Sequence, residues 1–412
     1  MVPRKIFYQT LFAKFMKLKF NVLLIGWVLF LNPMLLSAQR EMPVTEPLSS
    51  SAYITLLTCD PGEELYATFG HSAIGVVDAE QGIDWVFNYG TFNFEVPHFY
   101  AKFASGKLLY QLSFSSRKYF LREYEHRQRK VYEDVLNLTT EQEQRLFDYL
   151  KENYKPENRS YQYDFFFDNC ATRILDILYL SLGDSLVYTP EAEAQVPTFR
   201  QMIDQYLVKS HWSDFGIDLA LGSVIDKPAT PRQQAFIPDY LRSYLAHSSI
   251  NGLPMILKSE LLVAETAPIP VTPFLLHPVF LFWLLFVFIA VASFVWQKKS
   301  WAIADRLFFA TWGLTGLVVF LLWVATDHDA TAGNLNILWA NPLYIIYVFV
   351  VSNPQNFIRI WFLRLFIVLN TFVLLGWMVI PQDFNPVFIP IIGALLIRLG
   401  VHTFHGINLS RK

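Results

Sequence analysis

Two short strings hold the side chains of this sequence best suited to covalent chemistry, Phe69-Gly70-His71-Ser72-Ala73-Ile74 and Phe167-Asp168-Asn169-Cys170-Ala171-Thr172-Arg173. A histidine and a cysteine are the minimal kit for thiol acyl transfer, with sulfur as nucleophile and imidazole as base. Cys170 opens an apolar helix whose face is Ile174, Leu175, Leu178 and Leu182, with Asp168 or Asn169 as side-chain N-cap and Gly183 as terminator. A thiol in a first helical turn feels the positive end of the helix dipole and unpaired backbone N–H groups, so its pKa is expected to fall. The same N–H groups suit the oxyanion of a tetrahedral intermediate.

Other assignments compete for these residues. Cys59 and Cys170 are the only two cysteines, and in an oxidising compartment such a pair often forms a structural disulfide. Cys170 could also be a small buried thiol, and His71 a hydrogen-bonded core histidine. No His/Cys cluster has metal-ligand spacing, since His402 and His405 lie at the end of the last apolar run. No Gly-rich phosphate loop occurs either, and neither a metal nor a cofactor is expected.

The elements that must position the pair read as α+β. Tyr53 to Thr58 is a strand candidate, Asp60-Pro61-Gly62 a turn, and His71 to Val77 a second strand. Asp84 to Tyr89 alternates as a third, with Trp85, Phe87 and Tyr89 on one face and Val86 and Asn88 on the other. Thr140 and Glu143 resemble a capping box ahead of Leu146, Tyr149 and Leu150.

Composition places this domain beside a membrane. At 53% apolar residues and a mean hydropathy of +0.30, the chain exceeds what a soluble protein of this length shows. Lys17 and Lys19 precede an apolar run from Val22 to Leu36, and Leu36-Ser37-Ala38 then offers a small-residue cleavage site. That order is a secretory signal over residues 1–38, with Met16 as an alternative start and an uncleaved anchor as the alternative fate. Residues 39–267 then form an exported globular domain, and residues 268–412 a membrane domain. Five apolar runs follow Pro268-Ile269-Pro270: Phe274 to Trp296, Leu307 to Thr326, Leu335 to Val351, Ile360 to Ile380 and Pro386 to Val401. Each is near the roughly twenty residues that cross a hydrocarbon core. Lys298, Lys299, Arg306, Arg359, Arg364, Arg411 and Lys412 fall on one side of such a five-helix bundle, and Asp327, Asp329 and Asp383 on the other. The positive-inside rule then puts the C-terminus in the cytoplasm and the domain outside.

A histidine on a strand followed much later by Asn-Cys at a helix start resembles the circularly permuted, papain-like NlpC/P60 superfamily. The longer pattern resembles Lnb-type lipoprotein N-acyltransferases more closely. It comprises Leu56-Leu57-Thr58-Cys59-Asp60-Pro61-Gly62-Glu63-Glu64-Leu65, Phe69-Gly70-His71-Ser72-Ala73, Asn88-Tyr89-Gly90-Thr91-Phe92 and Asp168-Asn169-Cys170. That family joins an N-terminal periplasmic domain to a C-terminal membrane bundle. The resemblance implies Cys170 as nucleophile, His71 as general base and Asn88 as the residue orienting the imidazole, with Asp84 as its substitute. It implies transfer of an acyl chain from a membrane phospholipid, through a Cys170 thioester, to the α-amino group of a diacylglyceryl-lipoprotein in the inner membrane. No nucleic-acid partner is expected. Tyr89 and Tyr110 are candidate walls of the site, with half-buried core as their alternative. The extracytoplasmic loop from Thr326 adds His328, Asn334 and Asn341 as candidate contacts to a lipid head group or the acceptor amine, with a solvated, capped turn as theirs. Two other functions use the same features: a thiol peptidase or amidase acting on cell-wall peptides, and a non-enzymatic exported sensor or scaffold with a Cys59–Cys170 disulfide.

Overall fold

The computed structural model describes residues 42–43, 46–190, 196–264, 266–267, 270–295, 302–350 and 356–410. Contacts divide the chain into residues 1–45 and 46–412, and the helices and strands of the fold belong to the second unit. The expected signal at 1–38, Lys298, Lys299, Arg411 and Lys412 lie outside the described residues.

The chain first lays down β1 (Tyr53–Cys59), β2 (His71–Asp78), β3 (Ile83–Thr91), α1 (Phe99–Ala104), β4 (Leu109–Ser116), α2 (Arg117–His126), β5 (Val131–Leu136), α3 (Thr140–Tyr154), β6 (Ser160–Gln162) and α4 (Cys170–Leu182). A small sheet and four helices follow, β7 (Leu186–Tyr188), α5 (Phe199–Leu207), α6 (His211–Ala220), α7 (Pro231–Gln234), α8 (Pro238–Ala246), β8 (Ser248–Ile250) and β9 (Leu253–Pro254), and then β10 (Ile256–Val263). Seven strands form one antiparallel sheet in the order β10-β5-β1-β2-β3-β4-β6. Alternation along β3 sends Trp85 and Phe87 against Phe147 of α3 on one face. On the other, Val86 joins Leu57, Cys59 and Ala73 beneath Phe120 and Tyr124 of α2. The capping box of α3 sits one residue earlier than expected: Thr139 accepts from Gln142 N, and the Gln142 side chain returns the bond. Thr139 is the residue still extended, as an N-cap must be.

The membrane part comprises α9 (Pro278–Val295), α10 (Ala302–Ala325), α11 (Tyr344–Val350), α12 (Phe357–Leu375) and α13 (Phe388–Ser410). Three stretches, Pro278–Val295, Ile303–Ala325 and Phe357–Leu375, are long and apolar enough to cross a bilayer, and Phe388–Thr403 is a shorter apolar stretch. The run expected as a span from Leu335 to Val351 is not helical throughout, and its helix α11 starts only at Tyr344. Leu335–Leu338 is a short 3-10 turn capped by Asn334, and Asn341 Oδ1 accepts from Leu343 N at 3.0 Å where the chain restarts. Asparagine side chains compete with helical backbone bonds, and Pro342 has no N–H to continue a ladder.

The two parts are joined at the end of α6. A helix C-terminus leaves carbonyls without partners, and here side chains of the membrane part supply them. Asn336 Nδ2 donates to Asp218 O at 2.9 Å, and Asn334 Nδ2 to Leu219 O and Ala220 O at 3.0 Å each. Gly222 follows, where a Cβ would stand 1.9 Å from Ala332 O. Only glycine permits that approach of the two backbones. Beneath it, buried Arg200 bonds Asp218 at 2.5 Å and Asp226 at 2.7 Å.

Candidate active site

His71 is the first residue of β2, and Asn88 lies on the neighbouring strand β3. Among the described residues the imidazole makes a single hydrogen bond, from Nε2 to Asn88 Oδ1 at 3.2 Å. A carbonyl oxygen can only accept, so Nε2 carries the proton and Nδ1 is left as the basic nitrogen. Burial pushes the His71 pKa down to about 4, against the upward pull of Asn88 and with a small further lowering from Arg129. At neutral pH the ring is therefore uncharged, the form a base requires.

Cys170 owes its position to Asn169, whose side chain is fully used. Its Oδ1 accepts from Ala171 N at 2.8 Å and Thr172 N at 2.9 Å, and its Nδ2 donates to Phe165 O and Phe236 O at 2.7 Å each. Thr172 Oγ1 accepts from Asn169 N at 2.8 Å, completing a capping box. Asn169 is thus the cap, while Asp168 forms a two-pronged pair with Arg173 at 2.5 and 2.7 Å.

The backbone N–H groups of Ser72, Ala171 and Cys170 lie close enough to the Cys170 sulfur to favour its thiolate. Ser72 follows His71 directly, so the thiol lies against the peptide next to the imidazole. Gly90 completes this floor in the left-handed region, φ +83°, where a Cβ would meet Tyr163 at 3.5 Å and the Cys170 Cβ at 3.7 Å. The expectation of a depressed thiol pKa is overturned. Burial raises the Cys170 pKa, and the three N–H groups offset only part of that rise. Thiol and imidazole are both neutral at rest, rather than a preformed ion pair.

Cys59 and Cys170 are both free thiols, so no disulfide joins them and the disulfide scaffold loses its support. Cys59 bonds Tyr124 instead, and burial pushes its pKa up to about 12. Asp84 is engaged by Arg117 at 2.7 Å, away from the imidazole. Tyr89 is a core residue, 1% exposed, its hydroxyl donating to Asn153 Oδ1 at 2.6 Å. Tyr110 stacks on Tyr163 with ring centroids 4.3 Å apart, one ring removed from Cys170.

The three candidates in the membrane loop do not gather at Cys170. Asn334 is fully buried as a cap of α6 and offers nothing to a lipid. His328 Nε2 meets Phe103 O at 3.0 Å, and Asn341 caps the turn into α11. The loop nevertheless approaches the site by another residue, because Ala330 packs in one cluster with Phe166, four positions before Cys170. Sequence reading did not single out Ser72, Gly90 or Tyr163. Arg173 was also missed, although it lies three residues after Cys170 on one helix face, its guanidinium 3.4 Å from the centre of the Tyr161 ring. Asp204, Asp214 and Asp218, scattered in sequence, bring carboxylate oxygens within 4.8 Å of one another. Burial and the neighbouring carboxylates push Asp204 up to about 8.

Sheet and apolar helices together define a membrane-associated protein with a folded α/β domain ahead of its apolar helices. The Lnb N-terminal periplasmic domain matches residues 47–205, and the Lnb transmembrane domain matches residues 271–408. The chain belongs to the Lnb family, with a periplasmic N-terminal domain and a membrane-spanning C-terminal region. Comparison with curated proteins and with solved structures gives no match.

Proposed function

We propose that the protein is a lipoprotein N-acyltransferase of the inner membrane, built as a circularly permuted papain-like domain on a bundle that crosses the bilayer five times, with its C-terminus in the cytoplasm. The observation that supports this reading is the Cys170 sulfur, reached by the N–H of Ser72, the residue that follows His71, whose imidazole is held at Nε2 by Asn88.

In the first half-reaction His71 Nδ1 takes the thiol proton as sulfur attacks an ester carbonyl of a phospholipid. The N–H groups of Ser72, Cys170 and Ala171, which favour negative charge at the sulfur, are the donors this reading assigns to the tetrahedral oxygen. His71 then returns the proton to the departing alkoxide, leaving an acyl-thioester on Cys170. In the second half-reaction the α-amino group of a diacylglyceryl-lipoprotein attacks that thioester. Such an amine has a pKa of about 7.7–8.0 and is partly neutral, so His71 need only remove a proton as the amide forms. The C–S bond breaks, Cys170 leaves as thiolate, and the proton that His71 took from the amine restores the thiol. Neutral partners at rest suit this sequence, because the proton moves only when substrate is present.

An apolar substrate is supported by the surroundings. Phe167, three residues before Cys170, is 50% exposed, and Phe166 beside it belongs to an apolar cluster that includes Ala330 of the membrane loop. The test is mass spectrometry of lipoprotein N-terminal peptides from cells carrying the intact protein or Cys170→Ser. Loss of the N-acyl group in the variant is expected. Its persistence, with no second enzyme to supply it, would refute the reading.

A further inference from the structure

Away from the thiol, the periplasmic domain holds large aromatic side chains out in solvent. Phe94, Tyr100 and Phe103, on α1 and the loop before it, are 63, 81 and 53% exposed. They are ordered against one another: Phe94 lies 4.9 Å from Phe99 between ring centroids, and Phe103 stacks on Phe99 at 6.3 Å. A water-soluble face rarely carries so much contiguous apolar surface without a use.

The level of this patch relative to the bilayer follows from three contacts. Asp327 N donates to Ser105 O at 2.9 Å, and His328 Nε2 meets Phe103 O at 3.0 Å. Gly106, at φ +71°, brings its backbone so close to Asp327 that a Cβ would stand 3.1 Å from its carbonyl carbon. Asp327 is two residues beyond Ala325, the last residue of α10. The patch is therefore tied to the point where a membrane helix leaves the hydrocarbon. At the neighbouring boundary, Phe274, Leu275 and Leu276 are exposed just before α9, and Trp212 Nε1 donates to Leu276 O at 2.9 Å. Aromatic rings with nearby lysines, here Lys102 and Lys107, are the composition of the membrane–water interface.

We propose that α1 and the preceding loop insert Phe94, Tyr100 and Phe103 into the interfacial layer of the periplasm-facing leaflet, and that the patch sets the height of Cys170 above that leaflet. A line of rings connects the two places. Phe92 lies 5.9 Å from Phe99 and 5.1 Å from Tyr110, Tyr110 stacks on Tyr163 at 4.3 Å, and Tyr163 borders Gly90 beside Cys170. The insertion follows from geometry alone, whereas its purpose, presenting a lipid ester to the thiol, rests on the acyl-transfer reading.

The test places a nitroxide label at Tyr100→Cys or Phe103→Cys in the full-length protein, reconstituted in phosphatidylethanolamine–phosphatidylglycerol vesicles. Protein without the added cysteine gives the background from the two buried native thiols. Tyr119→Cys is the control, an equally exposed aromatic position beyond the far end of β4, about 20 Å away at roughly 3.3 Å per strand residue. Collisions with oxygen should exceed those with a water-soluble nickel chelate at 100 and 103, and the order should reverse at 119. Chelate-dominated collisions at 100 and 103 would overturn the insertion. The double variant Tyr100→Ser, Phe103→Ser should lower consumption of vesicle phospholipid at least tenfold while iodoacetamide alkylates Cys170 at an unchanged rate. Unchanged consumption would overturn the height-setting role. If the unaltered protein consumes no phospholipid at all, acyl transfer fails, and the nitroxide result still decides the insertion.

Discussion

Two partly buried histidines, one in each part of the molecule, are held in opposite ways. His402 in α13 has both ring nitrogens engaged, Nε2 with Asp305 at 2.9 Å and Nδ1 with the Tyr347 hydroxyl at 2.7 Å. Asp305 is also gripped by Arg398 through two bonds of 2.7 Å. His71 has one nitrogen engaged, by neutral Asn88. A ring bonded at both ends is a strut, and its proton has nowhere to go. A ring bonded at one end is oriented yet retains a basic nitrogen, and the residue that follows this one directs its N–H at the Cys170 sulfur. The contrast separates the two uses of a partly buried histidine by partner count, where burial alone would class them together.

The largest expected effect on chemistry is at His71. His71→Ala should slow thioester formation by roughly 10²- to 10⁴-fold, the usual contribution of a positioned general base, while His402→Ala leaves the rate on folded protein nearly unchanged. Stopped-flow or quenched-flow rates on both variants in vesicles check this, and equal losses would erase the distinction. The next effect falls on stability in the membrane part. Asp305→Ala leaves Arg398 buried without its carboxylate and should cost about 3–5 kcal/mol, seen as a large fall in thermal midpoint in detergent with Cys170 still alkylated at the normal rate in the cold.

A smaller effect is a pH dependence that belongs to His71. Its pKa is lowered from 6.5 to about 4 in the folded domain, so between those values the unfolded chain binds the proton and the folded chain does not. Its contribution to stability is complete above pH 6.5 and is lost as pH falls toward 4. Denaturant midpoints of the unaltered protein should fall across that window more steeply than those of His71→Gln.

Much of the site was legible because strand alternation is a local rule. Placing Asn88 opposite Trp85 and Phe87 in β3 was enough to set it facing away from the α3 layer, and it bonds His71 on the adjacent strand. The start of α4 at Cys170 was legible for a similar reason, since an Asn side chain ahead of an apolar run is a local cap signal. The direction of the thiol pKa was not legible. It depends on how much protein closes over sulfur, and desolvation outweighs the helix end that sequence could show. Asn334 misled for a related reason. In sequence it is a polar residue at membrane depth, but its partners are carbonyls of α6 more than a hundred positions earlier. Tyr89 sits on the face that packs against α3, and its bond to Asn153 required that helix to be in place.

The account stands on sulfur carrying the acyl chain, and one measurement addresses that directly. Full-length protein in vesicles is incubated with phospholipid bearing a labelled acyl chain, without lipoprotein, and its peptides are mapped by mass spectrometry before and after neutral hydroxylamine. The predicted result is a labelled, hydroxylamine-sensitive adduct on the peptide containing Cys170, formed much more slowly in His71→Ala. Label on any other residue, or intact protein that consumes phospholipid without ever modifying Cys170, would contradict it.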